Sequence, residues 1–378
     1  MKRLAILVIL ALLLALSVNA AGSGEGGSAQ DEVVIRFNQH GQDWLGGLQG
    51  MVGDYSEIDP SVTIEVSRLG GEDFWASLKT VVASGDVHDL LAVQSGAMLN
   101  DFVEAGHLEP IDDLPVISEY SEVSKQVGTI DGHIYGMPVA AHAMGVVYNK
   151  DIFDELGLEP AETISELEEI VAVLKDAGYI PFAGYYNDVW TLRHLFSMAH
   201  TAIVKDPIEF TRRMDTGEID SYRVEGMDRA MDVIDLMNAN VQERPFDAGF
   251  GDATALLAQK KAAMLIQGTW SVGNITKIDP DFNAGLFAVP VSDNPEDATL
   301  AIDSSVVWSV YSGTENMEKA KEVLNWLLQV EQMQVLGDLG DLMVVRGFKA
   351  PGSLTNVNES IQEYMAEGKT HRWGFSKW

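Results

Sequence analysis

The chain alternates between two hydrophobic periods, and this alternation predicts strands and helices in succession. Residues 33–37 and 61–66 are short runs rich in strand-forming residues, and 61–66 alternates apolar with polar positions. The wholly apolar run 90–93 is typical of a buried strand in a parallel sheet. Between 61–66 and 90–93 the pattern predicts a helix that ends at residues 84–85. Its apolar face consists of Phe74, Leu78, Val81 and Val82.

The second half of the sequence repeats this style. Thr163 and Glu166 have the spacing of a capping box, and the apolar stripe after them ends at Gly178. A Met-rich stripe starts at Met227, and core packing explains it more simply than a binding groove. Further helices are predicted at 253–259 and 317–328, and a strand at 263–266. Strands that alternate with helices indicate α/β layers with crossover helices.

The N-terminus has the pattern of a cleaved secretion signal. Lys2 and Arg3 precede an apolar run over 4–16, and small residues at 18–20 place the cleavage after Ala20. The run is shorter than the ~20 residues that span a bilayer, so we interpret it as a signal rather than an anchor. The sequence therefore predicts a signal peptide at 1–20 and a flexible Gly/Ser-rich leader at 21–30.

Length, charge and cysteine usage narrow the class of protein. A chain of 378 residues is too long for one ordinary core and favours two domains. A formal net charge of −32 disfavours nucleic acid and anionic membrane surfaces as partners. The chain has no Cys, so it has neither disulfides nor an N-terminal Cys that could carry a lipid. We expect a free, soluble protein in the periplasm.

The sequence contains no recognised catalytic, nucleotide or metal motif. It has no HExxH, GxSxG, Walker or EF-hand pattern. His194 and His200 are six positions apart, which does not place both on one helix face as a metal pair. We therefore predict no cofactor, metal site or catalytic residue. Paired carboxylates for glycoside hydrolysis stay open, because 57 acidic residues produce many accidental pairs.

Aromatic residues stand beside amide, carboxylate, imidazole and hydroxyl side chains in segments that look like strand ends. In open α/β sheets ligands bind outside the carboxyl ends of the strands. An aromatic ring offers a flat apolar face to a sugar ring, and the polar neighbours can satisfy its hydroxyls. Core packing is the simpler interpretation of Trp75, Trp308 and Trp326, which lie inside regular elements. The segments concerned are 38–44, 94–95, 185–190, 267–270 and 303–305.

Five stretches, in order, resemble the family 1 extracellular solute-binding proteins, the carbohydrate receptors of ABC importers that include the maltose-binding protein. The resemblance covers nearly all of residues 31–350. The stretches are LKTVVASGDVHDLLAV, DFVEAGHLEPIDDL, DGHIYGMPVAAHAMGVVYNKDIFDELGLEP, LLAQKKAAMLIQGTW and ENMEKAKEVLNWLL. Each is weak alone, and the five together are specific.

The resemblance implies an α/β protein of two lobes with a multi-segment hinge and a ligand cleft between the lobes. Residues 31–140 and 303–338 would form the N-terminal lobe, and 141–302 with 339–378 the C-terminal lobe. The chain would leave the first lobe near His142, and Tyr148–Asn149 would begin the first strand of the second lobe.

The resemblance also suggests where a ligand would bind. Trp270 matches a sugar-stacking Trp, Trp190 a second cleft position, and Asp43 with Trp44 the loop after the first strand. His142 would face the cleft, although a His satisfied by backbone groups remains an alternative. Two departures, Gln94–Ser95–Gly96 without an aromatic residue and His88 in place of Pro, leave the sugar open. The full predicted set is His40, Asp43, Trp44, Gln94, Ser95, His142, Tyr186, Asp188, Trp190, Arg193, Trp270, Asp303 and Arg346.

The functional hypothesis is a monomeric periplasmic receptor that closes on a mono- or oligosaccharide. It would deliver the sugar to an inner-membrane ABC permease with its ATPase. Two alternatives remain: a secreted glycoside hydrolase, and a receptor for a non-sugar solute such as a polyol, peptide or polyamine. The lack of a basic cluster disfavours an anionic ligand.

Overall fold

The computed structural model describes residues 32–40, 42–69, 74–204, 206–304 and 306–373. The predicted signal peptide and leader lie outside these residues. The strands, in chain order, are β1 Val33–Asn38, β2 Val62–Ser67, β3 Leu90–Gln94, β4 Leu108–Glu109, β5 Thr129–Ile130, β6 His133–Ile134, β7 Met137–Pro138, β8 His142–Asn149, β9 Ile180–Phe182, β10 Ala262–Gly268, β11 Ala284–Phe287, β12 Leu300–Asp303, β13 Val306–Tyr311 and β14 Thr370–His371.

Helices connect most of these strands, as the sequence periodicity predicts. They are α1 Gln42–Met51, α2 Tyr55–Ile58, α3 Phe74–Ser84, α4 Ala97–Glu104, α5 Glu122–Val127, α6 Lys150–Leu156, α7 Ile164–Asp176, α8 Val189–Val204, α9 Pro207–Asp215, α10 Met227–Ala239, α11 Phe250–Ala258, α12 Trp270–Thr276, α13 Met317–Leu327, α14 Val330–Gly337 and α15 Thr355–Ala366. Short 3-10 turns occur at Val52–Asp54, Pro115–Glu119, Pro245–Asp247, Pro295–Asp297 and Gly352–Leu354.

The N-lobe is built on the sheet β2-β1-β3-β13-β4, with β7 pairing to β13. Strands β1, β2 and β3 are parallel, whereas β13 runs antiparallel to β3. Alternate residues of β2 are buried, so one face of this strand meets the core and the other meets solvent. Strand β3 is buried along four of its five residues, as its apolar run predicts.

The C-lobe is built on the sheet β14-β12-β8-β10-β9, with β11 pairing to β8. All eight residues of β8 are buried. Gly145 in β8 is required by a close approach, because an added Cβ would lie 2.4 Å from the carbonyl oxygen of Phe287. The predicted capping box is confirmed: the Glu166 amide donates to Thr163 Oγ1 at 3.2 Å, and the Thr163 amide donates to Glu166 Oε2 at 3.1 Å.

One prediction about β8 is wrong. Tyr148 and Asn149 end this strand rather than begin it, since the strand starts at His142. Asn149 is the N-cap of α6, where its side-chain oxygen accepts a hydrogen bond from the Ile152 amide at 3.3 Å. Tyr148 is buried in the C-lobe core. Tyr148 and Asn149 therefore stabilise the C-lobe and do not mark the point where the chain enters it.

Two separate hydrophobic cores correspond to the two sheets, and in the described part of the chain three segments pass between them. These segments lie at 139–142, at 303–304 with 306, and at 342–350, and hydrogen bonds join them near the crossing. The Ala141 amide donates to the Leu342 carbonyl at 2.9 Å, and Ser304 Oγ donates to the Ala140 carbonyl at 2.6 Å. This confirms a two-lobe architecture with a multi-segment hinge. The exact lobe boundaries stay predictions; Met343 and Val345 pack in the N-lobe core.

The turn after α14 is in tight contact with the C-lobe. An added Cβ on Gly340, whose φ is +109°, would lie 2.5 Å from the Cα of Gly273 in α12. Leu339 in the same turn packs against the N-lobe core. The turn thus contacts both lobes, and glycine at both positions is what allows the backbones to meet. Among the described residues no helix is long and apolar enough to cross a bilayer.

Candidate functional site

The carboxyl ends of several strands from both sheets lie at the hinge. In the C-lobe, β10 and β12 run antiparallel to β8, and Asp303 at the end of β12 pairs with His142 at the start of β8. In the N-lobe, Gln94 at the end of β3 pairs with Val306 just after the crossing. Side chains from both lobes therefore converge on one edge, which is where ligands bind in open α/β sheets.

Asp341 joins the two lobes at this edge. Its Oδ2 accepts a hydrogen bond from Trp44 Nε1 in α1 at 2.6 Å, and its Oδ1 lies 3.5 Å from His142 Nδ1. We call Trp44, Asp341 and His142 the hinge triad. Neither Asp341 Oδ1 nor His142 Nδ1 has a hydrogen-bond partner among the described residues, although both atoms are buried. Buried polar atoms are nearly always paired, and these two atoms contact each other at a distance longer than an ordinary hydrogen bond.

The electrostatics of this edge favour neutral histidines. Burial lowers the pKa of His142, and the nearby Asp341 carboxylate only partly opposes this shift. Burial also lowers the pKa of His40 to about 4, with smaller contributions from the charges of Arg68 and His142. At neutral pH both imidazoles are uncharged, so each has one nitrogen that donates and one that accepts.

A row of aromatic rings extends from His142 into the C-lobe. Trp270 packs edge-to-face against His142 with 5.2 Å between ring centroids, and His194 lies 5.7 Å from Trp270. Trp190 follows at 5.1 Å from His194, and Phe250 at 5.4 Å from Trp190. Trp373 packs against Trp270 at 5.6 Å. We call Trp190, His194, Phe250, Trp270 and Trp373 the aromatic row.

Buried polar groups hold this row in place. Gln267, at 0% exposure in β10, faces His194 Nδ1 through its Oε1 at 3.2 Å and donates from Nε2 to the Tyr185 hydroxyl at 3.3 Å. Burial raises the pKa of Tyr185, so its phenol stays protonated and donates to the Ile266 carbonyl. Asp188 accepts from the Phe250 amide at 2.6 Å and so fixes the start of α11.

The structure brings together some of the predicted site residues at the hinge. His142 and Trp270 are in direct ring contact, Trp190 reaches them through His194, and Trp44 through Asp341. Ser95 joins the crossing segment, because its Oγ donates to the Ser304 carbonyl at 2.6 Å.

Other predicted residues have mainly structural contacts. The indole of Trp44 is only 7% exposed and packs in the N-lobe core. His40 stacks on Trp75 at 4.5 Å. The Tyr186 hydroxyl donates to Asn238 Oδ1, and burial raises its pKa to about 12. Arg346 is exposed, and its Nη1 donates to the Ser118 carbonyl at 3.4 Å.

The side chains of Asp43 and Arg193 lie outside those that the structure describes, and the ligand roles of the whole set stay predictions. Of the tryptophans interpreted as core, Trp308 and Trp326 are buried in the N-lobe core, and Trp75 packs against it while partly exposed.

Several convergent residues were not among the predicted set. His194 stands four positions after Trp190 on α8, and the i,i+4 spacing is a signal that could have found it. Asp341 and Trp373 carry no such signal. Their places depend on contacts with residues far away in sequence, such as the 297 positions between Trp44 and Asp341. Among the described residues no group of three or more His, Cys, Asp or Glu side chains could hold a metal ion.

The family model and the similar proteins of known name agree on one family. A family model described as bacterial extracellular solute-binding protein matches residues 41–334. A multiple sugar-binding protein of Streptococcus mutans is 23% identical over 354 residues, which are 92% of this chain and 84% of that protein. A maltotriose-binding protein of Pyrococcus abyssi is 23% identical over 320 residues, which are 83% of this chain and 66% of that protein.

Solved structures show the same fold. The solute-binding protein RafE in complex with raffinose superposes with a TM-score of 0.80 at 22% identity, over 91% of this chain and 90% of that one. The unliganded form of RafE from Streptococcus pneumoniae gives a TM-score of 0.73 at 22% identity, over 94% of this chain and 90% of that chain.

Proposed function

The chain belongs to the bacterial extracellular solute-binding proteins, and from this membership we propose that it is the carbohydrate receptor of an ABC importer. The observation that carries the proposal is the aromatic row beside the hinge triad. Rings such as Trp270 offer apolar faces, while Asp341 Oδ1 and His142 Nδ1 are buried polar atoms, 3.5 Å apart, that make no hydrogen bond among the described residues. A sugar ring has an apolar C–H face and a polar rim, and it satisfies both requirements at once.

Ligand binding would close the two lobes on each other. The hinge triad contains a residue from α1 of the N-lobe, one from β8 of the C-lobe, and one from the turn that contacts both. A ligand that reaches N-lobe side chains while it stacks on Trp270 of the C-lobe would make all of its contacts only when the lobes are close. Such a ligand stabilises the closed state by its difference in affinity for the two states.

The cellular setting follows from the family in outline. An extracellular solute-binding protein acts outside the cytoplasm and hands its ligand to a membrane permease. The finer parts of the proposal are a free, lipid-less periplasmic monomer, an ATPase that drives the permease, and binding without turnover of the sugar.

One observation favours a second candidate ligand class. The Asp341 carboxylate has no Lys or Arg partner among the described residues, and rings lie close to it. A buried carboxylate near aromatic faces also suits a small organic cation, through charge attraction and cation–π contact. A polyamine such as spermidine is therefore the comparison ligand.

A thermal-shift panel followed by calorimetric titration tests the proposal. The panel contains raffinose, stachyose, maltotriose, galactose, xylo- and chito-oligosaccharides, and spermidine. At a hundredfold excess over Kd a true ligand stabilises the protein by ~2.7 kcal/mol. Stabilisation by a sugar, with the sugar recovered intact, supports the proposal. Stabilisation by spermidine and by no sugar would show that the ligand is a cation rather than a carbohydrate. If no sugar stabilises the protein, the carbohydrate assignment is refuted.

A further inference from the structure

The C-terminal part of the chain contributes to the site although it lies beyond the residues that match the family model. That match ends at residue 334. Strand β14 pairs in parallel with β12, with Leu300 opposite Thr370 and Ala301 opposite His371. The chain after His371 therefore continues beside Asp303, toward the hinge edge where Asp303 pairs with His142.

An ion pair anchors this segment at the edge. Arg372 binds Asp303 through two contacts, from Nε to Oδ2 at 3.2 Å and from Nη2 to Oδ1 at 3.0 Å. The Asp303 side chain is only 4% exposed, so the guanidinium compensates a carboxylate that would be costly to bury alone. The fork geometry of arginine fixes orientation as well as charge. The residue that follows Arg372 is thus held in a defined place.

That residue is Trp373, and its indole N–H makes no hydrogen bond within the described part of the chain. The side chain is 3% exposed, and Nε1 has no hydrogen-bond partner among the described residues. Its ring packs against Trp270 at 5.6 Å and lies 6.4 Å from His194, in a nearly parallel arrangement. A buried donor without an acceptor is costly, and Trp usually finds a partner for this group when buried.

The aromatic row explains where the missing acceptor would be. Trp373 shares its neighbours with the site, because Trp270 also contacts His142 of the hinge triad. Indole N–H is a donor only, so its partner must be an acceptor atom. A sugar stacked on Trp270 carries hydroxyl oxygens around its rim, and these are acceptors.

We propose that Trp373 is a specificity-determining residue of the sugar site, which donates from Nε1 to one hydroxyl oxygen of the bound sugar. This proposal rests on the proposed carbohydrate function. It adds that selectivity among sugars is supplied by a segment beyond the family match, and that Arg372 and Asp303 serve as the structural anchor of that segment.

The test is Trp373→Phe, which keeps an aromatic ring and removes the donor. The matched control is Trp326→Phe, in a buried indole of the N-lobe core that packs on Tyr55 at 5.1 Å. Calorimetry uses the tightest-binding sugar of the panel above. We expect Trp373→Phe to weaken binding about 5- to 50-fold, and Trp326→Phe to leave affinity within about twofold.

Monodeoxy analogues of that sugar separate a hydrogen bond from a general packing effect. Against the wild type, the analogue that lacks the accepting hydroxyl loses a similar factor. Against Trp373→Phe the same analogue binds as well as the parent sugar, because the bond is already absent. Should Trp373→Phe not fold, Trp373→Leu, which also lacks a hydrogen-bond donor, replaces it, and the analogue comparison keeps the same expectation.

Three results overturn the proposal. Unchanged affinity of the Trp373 variant refutes the donor role and leaves the carbohydrate function standing. An affinity loss that no analogue reproduces against the wild type assigns Trp373 to packing. A wild-type protein that binds no sugar of the panel refutes the proposed function and this inference together.

Discussion

The tryptophans of the two lobes differ in burial and in the hydrogen bonding of their indole N–H groups. In the N-lobe, Trp44 Nε1 donates to Asp341, and Trp308 Nε1 donates to Gln39 Oε1 at 3.1 Å. Both indoles are buried in a hydrophobic core. In the C-lobe, Trp190 and Trp270 are partly exposed, and Trp373 Nε1 is buried without a hydrogen-bond partner among the described residues.

This difference suggests a division of labour. The N-lobe tryptophans are already satisfied, and what Trp44 offers the site is a fixed carboxylate on Asp341. In the C-lobe, Trp190 and Trp270 have ring surface that a ligand can cover, and Trp373 has an indole donor that a ligand can bind. We therefore expect substitutions on the N-lobe side to reduce stability first and substitutions on the C-lobe side to reduce affinity first.

Trp44→Ala gives the largest effect and tests the N-lobe half of the comparison. The substitution removes a buried ring and a hydrogen bond, and we expect a loss of ~3–5 kcal/mol in the free energy of unfolding. Urea melts of the sugar-free protein measure it. The opposite result, a stable variant with sharply weaker sugar binding, would move Trp44 from the core to the ligand and contradict the division.

Trp270→Ala tests the C-lobe half. Loss of stacked aromatic surface at ~25 cal/mol per Å² predicts sugar affinity that is weaker by about 10- to 1000-fold. Its stability should fall less than that of Trp44→Ala, because Trp270 is already partly exposed. Calorimetric titration and urea melts on the same sample decide. A large stability loss with unchanged affinity would assign Trp270 to the core instead.

The pH dependence of stability tests whether the His40 imidazole, on the N-lobe side, is shielded from water. The folded-state pKa of His40 is about 4, below the ordinary 6.5, so the unfolded chain binds the extra proton first. The stability that this provides is complete above pH 6.5 and is lost as the pH falls toward 4, by up to ~3 kcal/mol. We expect His40→Gln to show a shallower decline over this range in urea melts. Parallel slopes for both proteins would indicate an open, solvated His40.

Asp341→Asn has the smallest expected effect and tests the link between the two sides. Asparagine keeps an acceptor for Trp44 and loses the charge, so sugar affinity should fall about fivefold, by ~1 kcal/mol. Calorimetry with the tightest sugar of the panel measures this. Asp338→Asn, in the same turn, is the control and should bind like the wild type. Tighter sugar binding by Asp341→Asn would show that the carboxylate repels the ligand.

The sequence predicted the elements better than the site, for physical reasons. The face formed by Phe74, Leu78 and Val82 is local information, and α3 buries these three residues. The capping box from Thr163 to Glu166 is likewise a local pattern, four residues long. Tyr148 and Asn149 were misplaced because the resemblance gave the order of the segments along the chain but not the residue at which this strand begins.

The site depends on information that the sequence pattern does not contain. Asp341 is one of 57 acidic residues, and only the approach of α1 distinguishes it. Trp373 gains its neighbours through the pairing of β14 with β12, which is a long-range event. Trp270 was predicted from its place after a polar turn and from the family resemblance, and its ligand role stays a prediction.

The order of strands in the N-lobe sheet has a consequence for synthesis on the ribosome. Strand β13, at residues 306–311, pairs with β3, β4 and β7, which come from the first half of the chain. The polypeptide emerges from its N-terminus, and domains generally fold as units when their residues become available. The N-lobe therefore cannot complete its sheet until most of the C-lobe has been translated. An arrested nascent chain ending before residue 306 should contain an exposed β3 edge, which is a surface that chaperones bind and that pairs wrongly with other strands.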